Sequence, residues 1–248
     1  MRHRETSRLS DPHKMSYAGQ VFLGPDNGRI DSAGLNYYGV CPEFTTVLFK
    51  PGDYIGLVCA LLSLIPPAVL MMHLSAFLSR RTAQDLWFAG GQVMCEGSNF
   101  VLKRLMKQPR PQSPVLNMPE ESYGMPSAHS QFMGFLVGYM VVQMYFSPHL
   151  PKWDRVFRIS GMSLLAGLVG FARYYLYYHS PAQVAMGLTF GFLLGSLWFL
   201  VSVPLRKFGV VAWVVSLWPC RLLLIKDVDY NVREEYQSYV ATVNKRKN

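Results

Sequence analysis

Two histidines, a serine and three basic residues fall in three short polar islands of an otherwise apolar chain. The first island is Lys103, six residues, then Arg110-Pro111. The second is Pro126-Ser127-Ala128-His129. The third is Arg173, five residues, then His179. Guanidinium groups grip phosphate oxygens in pairs, and an ammonium adds a point charge. A neutral imidazole can attack phosphorus, and a protonated one can donate to a leaving oxygen. The ordinary histidine pKa of ~6.5 makes both forms accessible near neutral pH. Ser127 and the amides of Ala128 and His129 fall at the start of an apolar run. A helix beginning there would aim free N–H groups and a positive dipole end at an anion. Ser127 also fits a plain N-cap. Together the residue types describe a site for a phosphate-bearing substrate.

No carboxylate cluster and no His-x-x-x-His pair accompanies these residues, so neither a metal nor another cofactor is expected. Glu120 and Glu121 would repel phosphate and read as loop solvation. The four cysteines are scattered without a C-x-x-C pair and read as small buried hydrophobes.

The elements that must position the islands are membrane helices. Half of the 248 residues are hydrophobic and 16% are charged, with the apolar residues gathered in long runs. The expected fold is an all-α polytopic membrane bundle of five or six spans. Spans are expected near 54–78 (with Pro66-Pro67 as a kink), 85–106, 129–146, 159–178 and 181–204, each near the ~20 residues a bilayer core requires. Polar Glu96 and Asn99 in the second should face other helices. A last run, 208–225, is open between a sixth span, a re-entrant piece and an interfacial helix. The division expected is a polar N-terminal tail, 1–43, a membrane domain, 44–225, and a polar C-terminal tail, 226–248. The tail's start lacks an apolar stretch, so no cleavable signal peptide is expected.

Charge then orients the bundle. Arg80-Arg81, Lys152-Arg155-Arg158 and Arg206-Lys207 collect at one set of helix ends, which the positive-inside rule assigns to the cytosol. All three polar islands collect at the opposite, non-cytosolic ends. The net charge of +9 is absorbed by these loops, and no basic stripe suggests nucleic acid. Lys103, Lys107 and Arg110 at i, i+4 and i+7 could share a helix face.

At these residues the chain resembles the type-2 phosphatidic acid phosphatase superfamily. That family's signature is Lys-x6-Arg-Pro, Pro-Ser-Gly-His and Ser-Arg-x5-His-x3-Asp. This chain reads Lys103-x6-Arg110-Pro111, Pro126-Ser127-Ala128-His129 and Ala172-Arg173-x5-His179-x3-Gln183. Within the superfamily it is most similar to the dolichyldiphosphatases of the endoplasmic reticulum. Shared stretches include Glu96-Gly97 with Asn99, Tyr123-Gly124-Met125-Pro126-Ser127, Tyr177-Tyr178-His179 and Trp218-Pro219.

The resemblance implies a metal-independent lipid diphosphatase in the endoplasmic reticulum membrane. It would convert dolichyl diphosphate to dolichyl phosphate on the lumenal side, serving the carrier of protein N-glycosylation. His179 would be the nucleophile of a phosphohistidine intermediate and His129 the general acid and base. Lys103, Arg110, Ser127, the Ala128 amide and Arg173 would hold the phosphate. The implied partners are the polyprenyl diphosphate and the membrane, with no obligate protein partner. Another lipid phosphate as substrate, or a non-catalytic lipid-phosphate-binding relative, are the alternatives. Gln183 replaces the family's Asp. Ser180-Pro181-Ala182-Gln183 is also a capping box, so Gln183 caps a helix, orients His179, or does both.

Overall fold

A computed structural model describes residues 29–30, 36–39, 47–49, 52–111, 123–146, 150–227 and 244. The expectations for most of both tails and for Glu120 and Glu121 lie outside these residues. The protein is a helical membrane bundle. Its helices are α1 (Tyr54–Ser63), α2 (Ile65–Arg80), α3 (Ala83–Met106), α4 (Ala128–Tyr145), α5 (Lys152–Tyr175), α6 (Pro181–Lys207), α7 (Val210–Ser216) and α8 (Trp218–Leu222). Ahead of them, β1 (Arg29–Ile30), β2 (Asn36–Gly39) and β3 (Leu48–Phe49) form a short antiparallel ladder.

Among the described residues, three units are long and apolar enough to cross a bilayer by length and composition: Tyr54–Arg80, Lys152–Tyr175 and Pro181–Lys207. The first is α1 and α2 joined at Leu64. Pro66 and Pro67 lie in the first turn of α2, where their missing N–H groups cost nothing, so the chain restarts a helix there instead of kinking one. α5 begins at Lys152, seven residues earlier than the apolar pattern suggested, so Arg155 and Arg158 ride on its first turns. An Arg158–Asp154 pair at 2.9 Å supports that polar start.

α4 is the central element. It is buried nearly all round, and its polar residues face protein. Its main partner is α6. The two backbones meet along a seam of glycines, Gly134 and Gly138 on α4 and Gly187, Gly191 and Gly195 on α6. A Cβ on Gly191 would strike the carbonyl of Gln131, one on Gly195 that of Phe135, and one on Gly138 that of Phe192. Small residues four apart are what allow membrane helices to approach so closely.

The run after α6 does not cross the membrane. α7 and α8 have seven and five residues, about 10 and 8 Å of helix at ~1.5 Å per residue, against a core of ~30 Å. Beyond them the Lys226 N–H donates to the Arg81 carbonyl at 2.7 Å, and the Ala83 N–H donates to the Lys226 carbonyl at 2.9 Å. Asp227 pairs with Arg206 at 3.1 Å. The segment therefore leaves the end of α6 and returns to the same face. Exposed Trp213, Trp218 and Leu222 suit an interfacial position.

The seam is testable in detergent. Gly191→Ala should lower the thermal midpoint, an overpacking loss of about 1–3 kcal/mol. Gly161→Ala on α5, where a Cβ meets nothing, should leave the midpoint unchanged or raise it. Equal midpoints for the two variants would contradict the packing described.

Candidate active site

The third island is shaped by the exit from α5. Tyr177 takes a left-handed conformation (φ 59°), which folds the chain back. The N–H groups of Tyr178 and His179 then both donate to the Arg173 carbonyl, at 3.1 and 3.2 Å. His179 is 3% exposed, and the Arg173 guanidinium lies 3.9 Å above the Tyr178 ring. One turn of α6 later stands Gln183, 1% exposed.

Gln183 makes three kinds of contact. Ser180 and Gln183 form a complete capping box, in which the Gln183 Oε1 accepts from the Ser180 N–H at 3.2 Å. The same oxygen lies 3.3 Å from His179 Nδ1. Its Nε2 donates to the Pro109 carbonyl at 2.9 Å and to Gln108 Oε1 at 3.4 Å. A backbone carbonyl can only accept, so the Pro109 contact fixes which way the amide faces. The oxygen therefore faces the imidazole, Nδ1 carries the proton, and Nε2 keeps its lone pair. Capping and orientation are both present, and the third contact ties in the loop that carries Arg110.

That loop departs from the helical spacing of its basic residues. α3 stops at Met106, and Lys107 is left-handed (φ 46°). Lys103 stays on the last turn, while Arg110 lies beyond the helix. Gly124 N–H donates to the Gln108 carbonyl at 2.8 Å, and Pro109 bridges Tyr123. The first and second islands are thereby joined. Arg104 instead covers the Phe100 ring at 3.9 Å.

Ser127 is fully buried and stands at the N-cap of α4, yet its side chain caps no amide. Its hydroxyl accepts from Ser130 Oγ at 3.1 Å, which leaves its own proton free for another acceptor. The Ser127 N–H donates to the Gln183 carbonyl at 3.1 Å. The start of α4 thus abuts the start of α6, with the first-turn amides of α4 free of helical partners.

Burial pushes His179 down to about 2, with the charges of Arg173, Arg110 and Lys103 adding to it and Gln183 opposing it. The imidazole is neutral at any physiological pH. The same three cations bear on His129, whose ring bonds to the backbone carbonyl of Ser63. The Nε–H groups of Arg110 and Arg173 are buried with no hydrogen-bond partner among the described residues. Buried donors without acceptors are costly, and a phosphate would satisfy them.

A cavity of about 450 Å³ runs from His129, Arg173 and Tyr178 to Pro67, Leu70 and Val93. Leu70 and Val93 are exposed on the bundle's outer surface, so the cavity is open toward lipid between α2 and α3. Glu96 lines it and is exposed, rather than packed against a neighbouring helix. Its charge acts on Lys103, two turns along α3. Among the described residues no group of His, Cys, Asp and Glu could hold a metal ion.

Residues 85–207 match the model of the PAP2 superfamily. The chain is 36% identical to the dolichyldiphosphatase of Saccharomyces cerevisiae over 212 residues, covering 82% of this chain and 88% of that one. The chain belongs to the dolichyldiphosphatase family. The human relative, dolichyldiphosphatase 1, is 31% identical over 210 residues, covering 80% of this chain and 86% of its own. The fold is similar to that of a transmembrane PAP2-type phosphatidylglycerolphosphate phosphatase from Bacillus subtilis. The TM-score is 0.52 and the identity 23%, covering 63% of this chain and 80% of that one.

Lys103, Arg110, Ser127, His129, Arg173, His179 and Gln183 therefore converge, with the Ala128 amide beside them. Lys107 and Arg104 do not join them through any contact described. Ala172, where the superfamily has Ser, is fully buried with Cys59 and Ala60 against α1. Three contributors went unread in the sequence: the Ser63 carbonyl, the Tyr178 ring and Gln108. The Ser63 carbonyl and Gln108 act through contacts between residues far apart in the chain, and the Tyr178 ring through the fold-back after α5.

The tautomer is directly observable. In the substrate-free protein, ¹⁵N spectra of His179 should show a neutral ring with a protonated Nδ1, and no titration from about pH 8 down to about pH 4. A lowered pKa leaves the neutral form dominant at every pH above it. A midpoint near the ordinary value of ~6.5 would contradict the burial described. Gln183→Leu should lose the fixed tautomer, whereas Gln183→Glu should keep it.

Proposed function

We propose that the chain hydrolyses dolichyl diphosphate to dolichyl phosphate and inorganic phosphate. The reaction takes place in the endoplasmic reticulum membrane with the site facing the lumen, and it returns the lipid carrier to protein N-glycosylation. The observation that carries this reading is a neutral His179 among three cations, two of them arginines whose buried Nε–H groups have no partner among the described residues. The cavity open to lipid supports an isoprenoid chain lying beside α2 and α3. The names of the relatives support the dolichyl substrate. The basic residues at the opposite helix ends support a lumenal site.

In the first step His179 Nε2 attacks the terminal phosphorus. The bond from that phosphorus to the bridging oxygen breaks, and its electron pair goes to the bridging oxygen. The negative charge of the bound diphosphate offsets the three cations that disfavour a proton on His129, so His129 as imidazolium gives that oxygen a proton, and dolichyl phosphate leaves. The phosphorylated His179 is cationic, and Gln183 Oε1 accepts its Nδ1–H. In the second step His129 takes a proton from water as the water attacks phosphorus. The P–N bond breaks, phosphate departs, and His129 is protonated again. Lys103, Arg110, Arg173, Ser127 and the Ala128 amide meet the charge on the transferring group, the largest contribution such a site can make. The three cations take the role a metal would have in neutralising the transferring group.

Purified wild-type protein should release phosphate from dolichyl diphosphate, and His179→Ala should fall at least about 10³-fold. Equal release by the two would sink the nucleophile assignment. Turnover only of monoester lipids such as phosphatidate would sink the diphosphate reading.

A further inference from the structure

Inside the bundle two amide side chains join α3 to α4. Asn99 Nδ2 donates to Gln131 Oε1 at 2.8 Å and to the Pro126 carbonyl at 3.2 Å. Gln131 Nε2 donates to the Cys95 carbonyl at 3.0 Å and to Ser98 Oγ at 2.9 Å. Asn99 is 3% exposed and Gln131 is fully buried. The carbonyls of Pro126 and Cys95 only accept, so both amides have one possible orientation. Two apolar side chains of similar shape would join the same helices without the desolvation of two amides. The pair therefore calls for a reason beyond packing.

The reason lies in a single peptide group. The carbonyl of the Pro126–Ser127 peptide accepts from Asn99, and its N–H donates to the Gln183 carbonyl at 3.1 Å. One peptide plane is thus held at both polar ends, by α3 on one side and the start of α6 on the other. That plane opens α4, so it sets where Ser127 Oγ and the Ala128 and His129 amides point. Both anchors lead to other parts of the site. Asn99 is one turn from Lys103, and Gln183 contacts His179. A Cβ on Gly124 would meet the Gln183 amide at 2.6 Å, so the neighbouring turn has no room to rotate.

We infer that Asn99, braced by Gln131, is a positioning residue that aligns the anion-binding start of α4 with Lys103 and His179. The inference rests on reading those residues as the phosphate-handling machinery. It does not depend on which lipid carries the phosphate.

The test compares kcat, KM and thermal midpoint in detergent, with dolichyl diphosphate as the probe. The double variant Asn99→Leu/Gln131→Leu removes both amides together and leaves the Pro126 carbonyl without its donor, so a modest fall in midpoint is expected and kcat is read per folded molecule. Its kcat should fall by roughly 100-fold, the scale of a ~1 Å misplacement, with KM within about threefold. A residue that only packed α3 on α4 would change the midpoint and leave kcat per folded molecule alone. Asn99→Ser is the second variant, for the case in which the double variant does not fold. It keeps Gln131 on its own two acceptors and should still lose kcat by roughly tenfold or more. Either variant, folded and with kcat within about threefold of wild type, would overturn the inference. Wild type inert on dolichyl diphosphate but active on another lipid phosphate would overturn the substrate reading alone. The same kcat ratios on that lipid would then decide the positioning role.

Discussion

The close approach of α4 and α6 is the constraint on which the rest of the structure depends. Five glycines bring one backbone against the other, so a side chain there would occupy space already filled by a carbonyl. The approach sets the height of Ser127 against Gln183, because a Cβ on Gly187 would meet the Ser127 carbonyl at 2.7 Å. Two of the three polar islands are therefore joined by a packing seam, and hydrogen bonds refine what the seam has placed.

The remaining island, Lys103 to Arg110, is held to the others by polar contacts. Gln183 reaches Gln108 and Pro109 from the first turn of α6, and Asn99 reaches Pro126 from the last third of α3. In a low-dielectric interior each unsatisfied amide is expensive, so a network in which every donor has an acceptor specifies one arrangement. Beside that network stand buried guanidinium N–H groups with no hydrogen-bond partner among the described residues. In the proposed reading, the arginine Nε–H groups and the free edge of His179 are where the phosphate binds. Burial among cations keeps the imidazole neutral, and the amide oxygen of Gln183 orients it without adding the negative charge of an aspartate. Under the proposed mechanism Gln183 would orient and support a phosphorylated imidazolium while doing less than an aspartate to favour a proton on the free ring.

Much of this was legible in the residues. The spacing of the islands was readable from the residues, and they come together in the fold; the side of the membrane they face is an expectation from loop charges. The capping box at Ser180–Gln183 was readable, and it forms. Other features were readable but not read. Gly187, Gly191 and Gly195 are four apart, a repeat with a direct packing meaning. The helical spacing of Lys103, Lys107 and Arg110 misled, because a left-handed Lys107 ends the helix before Arg110. The prolines at 66 and 67 fit a helix start better than a kink. The run 208–225 was ambiguous by composition alone, and the contacts of Lys226 with the turn between α2 and α3 resolve it. The contacts of Gln183 with Pro109 and of Asn99 with Pro126 bring together residues far apart in the chain, where local periodicity carries no signal.

The group that attacks phosphorus can be identified directly. The protein can be turned over with dolichyl diphosphate labelled in its terminal phosphate, quenched in base to preserve phosphoramidates, and digested for mass spectrometry. The phosphoryl group is predicted on Nε2 of His179, present in wild type and absent from His179→Ala. A phosphoryl group on His129, or label reaching phosphate with no protein-bound intermediate under conditions that trap one, would contradict it.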